Sequence, residues 1–271
     1  MLPEAHIEAA KRLHRAEAER RQIGCLSRAH PGMDMRDAYA IQAAWVALKR
    51  AAGRRIIGHK IGLTSRAMQQ QLGIDIPDSG ILFDDMLFDD GATVPAGRFI
   101  APRVEAEIAF VMAGALQGPG VTAADVLAAT GAVAPALEIL DTRIHRIDPE
   151  TGARRTVLDT IADNAANAGL VLGAVRHPPG AFDLPRVGVA LLRDGAVEET
   201  GLGAGVLGDP LRSMAWLANR LAEHGDRITP GEVVLSGSFI RAVEAPPGSR
   251  FEADFGPFGR VSVAFGKGDP Q

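Results

Sequence analysis

Pro102-Arg-Val-Glu-Ala-Glu-Ile-Ala-Phe-Val-Met112 alternates as a strand does. Residues two apart in a strand point to the same face, so Glu105 and Glu107 project together while Val104, Ala106, Ile108 and Phe110 line the other face. A second stretch, Ala136-Leu-Glu-Ile-Leu140, repeats the pattern, with Leu137 and Ile139 facing away from Glu138. Three carboxylates on otherwise apolar strands are each costly to bury unpaired. A hard divalent cation removes that cost, because Mg2+ binds carboxylate and water oxygens and keeps positions open for a further ligand. The competing reading is an ion-pair cluster with arginines such as Arg103 and Arg143. The apolar character of the Glu138 strand and of Phe99-Ile-Ala-Pro102 favours the metal.

Outward from these strands, the first fifty residues read as helical. Ile7, Ala10 and Leu13 recur at helical spacing; Asp34 is placed to cap a second helix carrying the stripe Ala38, Ile41, Trp45 and Leu48, with Gly53 as its stop. Ile56-Ile-Gly-His-Lys-Ile-Gly-Leu63 is a short apolar run holding two polar residues between glycines. A short helix around residues 65–72 and a turn at Pro77-Asp-Ser-Gly80 are expected to follow. From residue 92 onward strands dominate, interrupted by helices near Thr122 and at Asp209-Pro210. Phe251, Ala253 and Phe255, the turn Gly256-Pro-Phe-Gly259, and Val261, Val263 and Phe265 form a closing hairpin. The predicted organisation is a helical region, residues 1–55, leading into a mixed β body, residues 56–271, as one structural unit.

Composition excludes several classes. The 271 residues are 46% apolar, enough for a sizeable core, and the formal charge of −4 shows none of the basic excess of a nucleic-acid track. A single cysteine, Cys25, rules out an internal disulfide and fits a reducing cytoplasm. The amino terminus has no apolar core of a signal peptide, and no apolar run approaches the ~20 residues of a membrane span. A soluble cytoplasmic protein with no nucleic-acid or membrane partner is expected.

Other polar residues stand out. Lys60, inside an apolar glycine-flanked run, needs an ion-pair partner or a depressed pKa, unless it snorkels from a strand end. His59 would face the opposite way and reads as a scaffold histidine. Asp78 suits a local Asx-type turn. Asp163-Asn-Ala-Ala-Asn167 is either a turn or a polar lining, and Ser236-Gly-Ser238 either a plain strand end or backbone N–H groups aimed at an anion. Gly201–Gly208 lacks the βαβ context of a dinucleotide fingerprint.

Together, Gly58-His-Lys-Ile-Gly-Leu-Thr-Ser65, Pro77-Asp-Ser-Gly80, Pro102-Arg-Val-Glu-Ala-Glu107, Pro135-Ala-Leu-Glu138, Asp163-Asn-Ala-Ala-Asn167 and Leu235-Ser-Gly-Ser238 resemble, in this order, the 2-oxopent-4-enoate hydratases of the fumarylacetoacetate hydrolase superfamily. Ile57–Met68, Asp84-Asp-Met86 and Ile147-Asp-Pro-Glu150 are most similar to the branch acting on 2-oxohept-4-ene-1,7-dioate in homoprotocatechuate degradation. The resemblance spans about residues 34 to 265. It implies an α+β fold, with an N-terminal helical region and a mixed β-roll or pseudobarrel body. It also implies Mg2+ or Mn2+ on Glu105, Glu107 and Glu138, acid–base roles for Lys60 and Asp78, and substrate contacts from Leu63, Asn164 and Ser238. Homo-oligomerisation, up to a decamer, and association with a downstream aldolase or a decarboxylase follow from it as well. One position departs: Ala162 stands where relatives often carry serine.

The activity so implied is hydration of an unsaturated 2-oxo dicarboxylate, with a Lys60 shifted downward and coupled to Asp78 moving the protons. The far carboxylate of such a substrate needs a cation. The basic stretch Asp141–Arg155 offers Arg143 or His145, with Arg154 or Arg155 as outsiders. A 2-oxo-3-hexenedioate decarboxylase would share the same machinery. A C–C hydrolase would need a histidine–glutamate pair that His6, His14 and His30 do not form. A non-catalytic partner subunit is disfavoured because Lys60, Asp78 and the three glutamates are all retained.

Overall fold

The computed structural model describes residues 1–65, 69–70 and 76–268; the helix expected around residues 65–72 lies largely outside them. Helix α1, Pro3–Glu19, buries Ala9, Ala10, Leu13 and Ala16, while Ile7 is exposed. The short α2 covers Leu26–Ala29, and α3 covers Met35–Ala51. Asp34 caps α3 through a reciprocal pair: its side chain accepts from the Asp37 N–H at 2.9 Å, and the Asp37 carboxylate accepts from the Asp34 N–H at 3.0 Å. Ala38, Ile41 and Trp45 are the buried stripe of this helix.

The strands form two sheets. The larger contains β1 (Ile56–Gly62), β2 (Asp78–Phe83), β3 (Leu87–Phe88), β5 (Arg103–Met112), β6 (Thr130–Leu140), β7 (Asn167–Leu172), β10 (Val233–Ser238) and β11 (Val243–Glu244). Its order is β2-β1-β10-β5-β6-β7-β3, with β11 added on β5. The smaller contains β4 (Thr93–Val94), β8 (Gly188–Arg193), β9 (Ala196–Leu202), β12 (Arg250–Asp254) and β13 (Arg260–Phe265), in the order β4-β13-β12-β8-β9. The closing hairpin is β12–β13, paired from Arg250↔Ala264 to Asp254↔Arg260. Helix α4 (Ala123–Ala129) is capped by Thr122, α5 is Val157–Ala162, and α6 (Pro210–Ala222) opens at the Asp209 cap with proline in its first turn.

Strand alternation sorts the larger sheet into two apolar faces. Val104, Ala106, Ile108, Phe110, Leu137 and Ile139 pack against Val189, Leu191, Phe251, Ala253, Val261 and Val263 of the smaller sheet. The opposite face, through Ala109, Ala136, Leu170 and Leu235, packs under Leu13, Ile41 and Trp45 of the N-terminal helices. Glu105 and Glu107 share the face of Ala109, and Glu138 the face of Ala136, so all three carboxylates stand on the helix-covered side.

The segment Pro77–Gly80 is not a turn. Asp78, Ser79 and Gly80 are the start of β2 and pair with Gly62, Ile61 and Lys60 of β1. Long-range pairing therefore overrides the local preference of Pro-Asp-Ser-Gly for a turn. Gln42 of α3 secures this strand by donating to the Ser79 carbonyl at 2.8 Å and to the Ile161 carbonyl at 3.0 Å.

Candidate active site

Register brings the glutamates together. Glu105 lies directly opposite Glu138 in the β5–β6 pair, and Glu107 lies opposite Ala136 one step along. One oxygen from each of Glu105, Glu107 and Glu138 falls within a set whose members are all within 4.8 Å of one another. Glu107 and Glu138 are completely buried and Glu105 is half-buried. Burial and the charge of Glu138 push Glu105 up to about 8 and hold Glu107 well above the ordinary carboxyl range.

Two contacts fix these side chains while leaving oxygens open. The Gly237 N–H donates to Glu107 Oε2 at 2.7 Å, and Asn167 Nδ2 donates to Glu138 Oε1 at 2.8 Å. Glu107 Oε1 and Glu138 Oε2 are buried without a hydrogen-bond partner among the described residues. Buried, like-charged oxygens with no donor suit a hard cation. Gly237 sits at φ +115°, and a Cβ there would lie 2.4 Å from Thr64 Oγ1, so only glycine lets this N–H reach Glu107.

Lys60 and Asp78 arrive from the neighbouring strands β1 and β2. Lys60 Nζ lies 3.4 Å from Glu138 Oε1, and both residues are buried. The two polar groups converge over Gly62, where a Cβ would meet Asp78 Oδ1 at 2.2 Å and Lys60 Nζ at 2.9 Å. Burial raises the Asp78 carboxyl above its ordinary range, tempered by the charge of Lys60. Burial alone would lower Lys60, but the carboxylates of Glu138, Asp78, Glu105 and Glu107 outweigh it and push the ammonium above its ordinary value. The downward shift expected from the apolar sequence context is therefore corrected: the surrounding field, not burial, decides the sign.

His59 occupies the other face of β1, as alternation requires. It lies 3.7 Å from Glu232 and lines a cleft of about 650 Å³ bordered by Arg50, Arg54, Arg55, Arg227 and Asp226, on the face of β1 opposite Lys60. Leu63, at the end of β1, adopts a left-handed φ of +56°, an uncommon conformation for a residue with a branched side chain, one residue beyond Gly62. Its carbonyl accepts from Gln69 Nε2 at 2.7 Å.

Three expected contacts are not offered as the sequence suggested. Arg143 is buried, and its Nε binds Asp163 Oδ1 while Nη1 and Nη2 donate to the carbonyls of Asn167 and Asp163. Its guanidinium also lies 5.6 Å from the Trp45 ring, so it is committed to the scaffold and is not free to take a substrate carboxylate. Asn164 uses both ends of its amide on Ile81, donating to the carbonyl at 2.9 Å and accepting from the N–H at 2.8 Å. Ser238 lies opposite Glu107, but its hydroxyl donates to the Ile240 carbonyl at 2.8 Å, and the Gly237 N–H goes to Glu107, not to a free anion. His145 is half-buried, with its backbone N–H on the Ile23 carbonyl. Sequence reasoning left Asn167 between a turn and a polar lining and passed over Gly62 as a site residue; a glycine two residues after a buried lysine was the available signal.

No family model matches the sequence. In fold, the curled larger sheet beneath a helical layer is that of the fumarylacetoacetate hydrolase superfamily. A solved structure of 4-oxalocrotonate decarboxylase from Pseudomonas putida G7, complexed with magnesium and adipate, matches with a TM-score of 0.92 at 35% identity, covering 98% of each chain. The 2-oxo-hept-4-ene-1,7-dioate hydratase of Escherichia coli is 49% identical over 260 residues, covering 96% of this chain and 97% of that one. The 2-keto-4-pentenoate hydratase of Paraburkholderia xenovorans (strain LB400) is 41% identical, covering 98% and 96%. The chain belongs to the 2-keto-4-pentenoate (2-oxopent-4-enoate) hydratase family of that superfamily. Among the described residues no helix is long and apolar enough to cross a membrane.

Proposed function

We propose that this chain is a divalent-cation-dependent hydro-lyase that adds water to 2-oxohept-4-ene-1,7-dioate, giving 4-hydroxy-2-oxoheptane-1,7-dioate. The observation that carries the reading is the convergence of three carboxylate oxygens within 4.8 Å beside Lys60, in a chain 49% identical to a hydratase of that substrate. Glu105, Glu107 and Glu138 would hold Mg2+, or Mn2+ as the alternative hard cation; the relative solved with magnesium supports the first. When bound, the cation supplies a Lewis acid for the carboxylate and ketone oxygens of a 2-oxo acid.

The remaining chemistry belongs to Lys60 and Asp78. Asp78 takes the proton from C3, and Lys60, beside it over Gly62 and 3.4 Å from Glu138 Oε1, donates toward the developing enolate. Return of a proton at C5 moves the double bond into conjugation with the ketone. Water then adds at C4, and C3 is protonated again. Gly62 keeps the two groups together, since any side chain there would separate them.

Decarboxylation of 2-oxo-3-hexenedioate is the second reading, favoured by the structural match to 4-oxalocrotonate decarboxylase. The higher identity to the dioate hydratase, 49% against 35%, supports hydration first. Glu107→Ala is expected to lower Mg2+-dependent hydration by at least about 100-fold, measured as loss of the dienol or enone absorbance under saturating Mg2+. Full activity in that variant would remove the cation from the reading.

A further inference from the structure

With Arg143 committed to Asp163, the cation for the far end of the substrate must be sought elsewhere in the basic stretch. Residues 146 to 155 fold back on themselves: Ile147 pairs with Arg154 in an antiparallel bridge, and the Arg155 N–H donates to the Arg146 carbonyl at 3.1 Å. Directly opposed residues in such a pair share one face, and the next pair takes the other. Ile147 and Arg154 are exposed, so Arg146 and Arg155, both partly buried, point inward together. Arg103 joins them from β5, on the same face as Glu105 two residues later.

The three guanidinium groups feel one another's charge, with Asp163 and Asp159 also acting on Arg155 and Asp141 and Glu244 on Arg146. Burial pushes Arg146 down to about 10, with the charges of Arg103 and Arg155 adding to the effect, and burial lowers Arg155 as well. Arg103 Nη2 donates to Glu244 at 2.7 Å, yet Arg103 Nε is buried without a partner, and so is Arg155 Nη1, among the described residues. Unpaired guanidinium N–H groups beside like charges are costly, and an anion between them removes the cost. The cluster adjoins the site through β5: Arg103 shares the face of Glu105 and lies opposite Leu140, two residues past Glu138.

We propose that Arg155, with Arg146 and Arg103, receives the carboxylate at the far end of a dicarboxylic substrate and so sets the preference for diacids over monoacids. The assignment rests on the reading of the site as a 2-oxo acid hydratase, and its test separates the two. Arg155→Ala and wild type are compared on 2-oxohept-4-ene-1,7-dioate and on the monoacid 2-oxopent-4-enoate. The KM for the dioate is expected to rise about 10- to 100-fold, the size of a lost charged hydrogen-bond pair, and the ratio of dioate to monoacid kcat/KM to fall by a similar factor. Arg155→Lys, which keeps the charge but loses the fork, is expected to fall between. Equal losses on both substrates would place Arg155 at the C1 carboxylate or in the scaffold and overturn the proposal, as would no change on either. Calorimetric titration of the Mg2+-loaded protein with heptanedioate and heptanoate reads the receptor without turnover. Wild type should prefer the diacid and Arg155→Ala should lose that preference; a wild type that binds both equally overturns the proposal even if it hydrates the dioate. Diacid preference in a protein that hydrates neither substrate would instead overturn the hydratase reading alone.

Discussion

Glu107 and Glu138 are wholly buried, and among the described residues each keeps one carboxylate oxygen without a donor. The consequence is a dependence on pH and on metal together. Glu105 is raised to about 8 and Glu107 is raised as well, so between the ordinary carboxyl range and about pH 8 the folded, metal-free chain binds more protons than the unfolded one. Its stability in EDTA is then fully present at the acidic end of that window and falls as pH rises through it. A cation on the same oxygens displaces those protons, so its own stabilisation grows with pH. Thermal unfolding is expected to show a larger upward shift with Mg2+ at about pH 8 than at about pH 5.5; an equal or smaller shift at the higher pH would contradict the cluster as the binding site. At this scale the glutamates were legible because alternation alone fixes where a strand residue points. The sign of the Lys60 shift was not, because it depends on four carboxylates brought from other strands.

Among the elements, the loop between α5 and β7 depends on one ion pair. Arg143 binds Asp163 through side chain and main chain and also holds the Asn167 carbonyl, while Asn167 positions Glu138. Arg143→Ala leaves the buried Asp163 without its counter-charge and is expected to cost about 3–5 kcal/mol of stability, read by urea denaturation, with activity falling on diacid and monoacid alike. A fully stable variant that lost only the diacid preference would return Arg143 to the substrate. The sequence could not show this commitment, because an arginine in a basic run looks solvated until Asp163 and Trp45 are known to surround it. The α3 cap, the β12–β13 hairpin and the β5 and β6 strands were legible, since their signals are local. β2 was not, because its pairing with β1 is non-local and its opening residues read as a turn.

Across the whole molecule, the larger sheet works as a partition. Its one face joins the smaller sheet in a common core, and the other holds the carboxylates beneath the N-terminal helices. That arrangement lets a polar site be rigid: β1, β2, β5, β6 and β10 each bring one or two groups to the same place by register. The order of motifs along the chain made this legible as a resemblance, and identity over 96% of the chain with a dioate hydratase agrees with it. Periodicity alone reached the strands and the cation but not the reaction, since hydration and decarboxylation ask for the same groups. The decisive measurement is NMR analysis of the product when the Mg2+-loaded protein meets 2-oxohept-4-ene-1,7-dioate. The account predicts 4-hydroxy-2-oxoheptane-1,7-dioate, with the reaction lost in EDTA. Unchanged dioate, together with CO2 release from 2-oxo-3-hexenedioate, would contradict it.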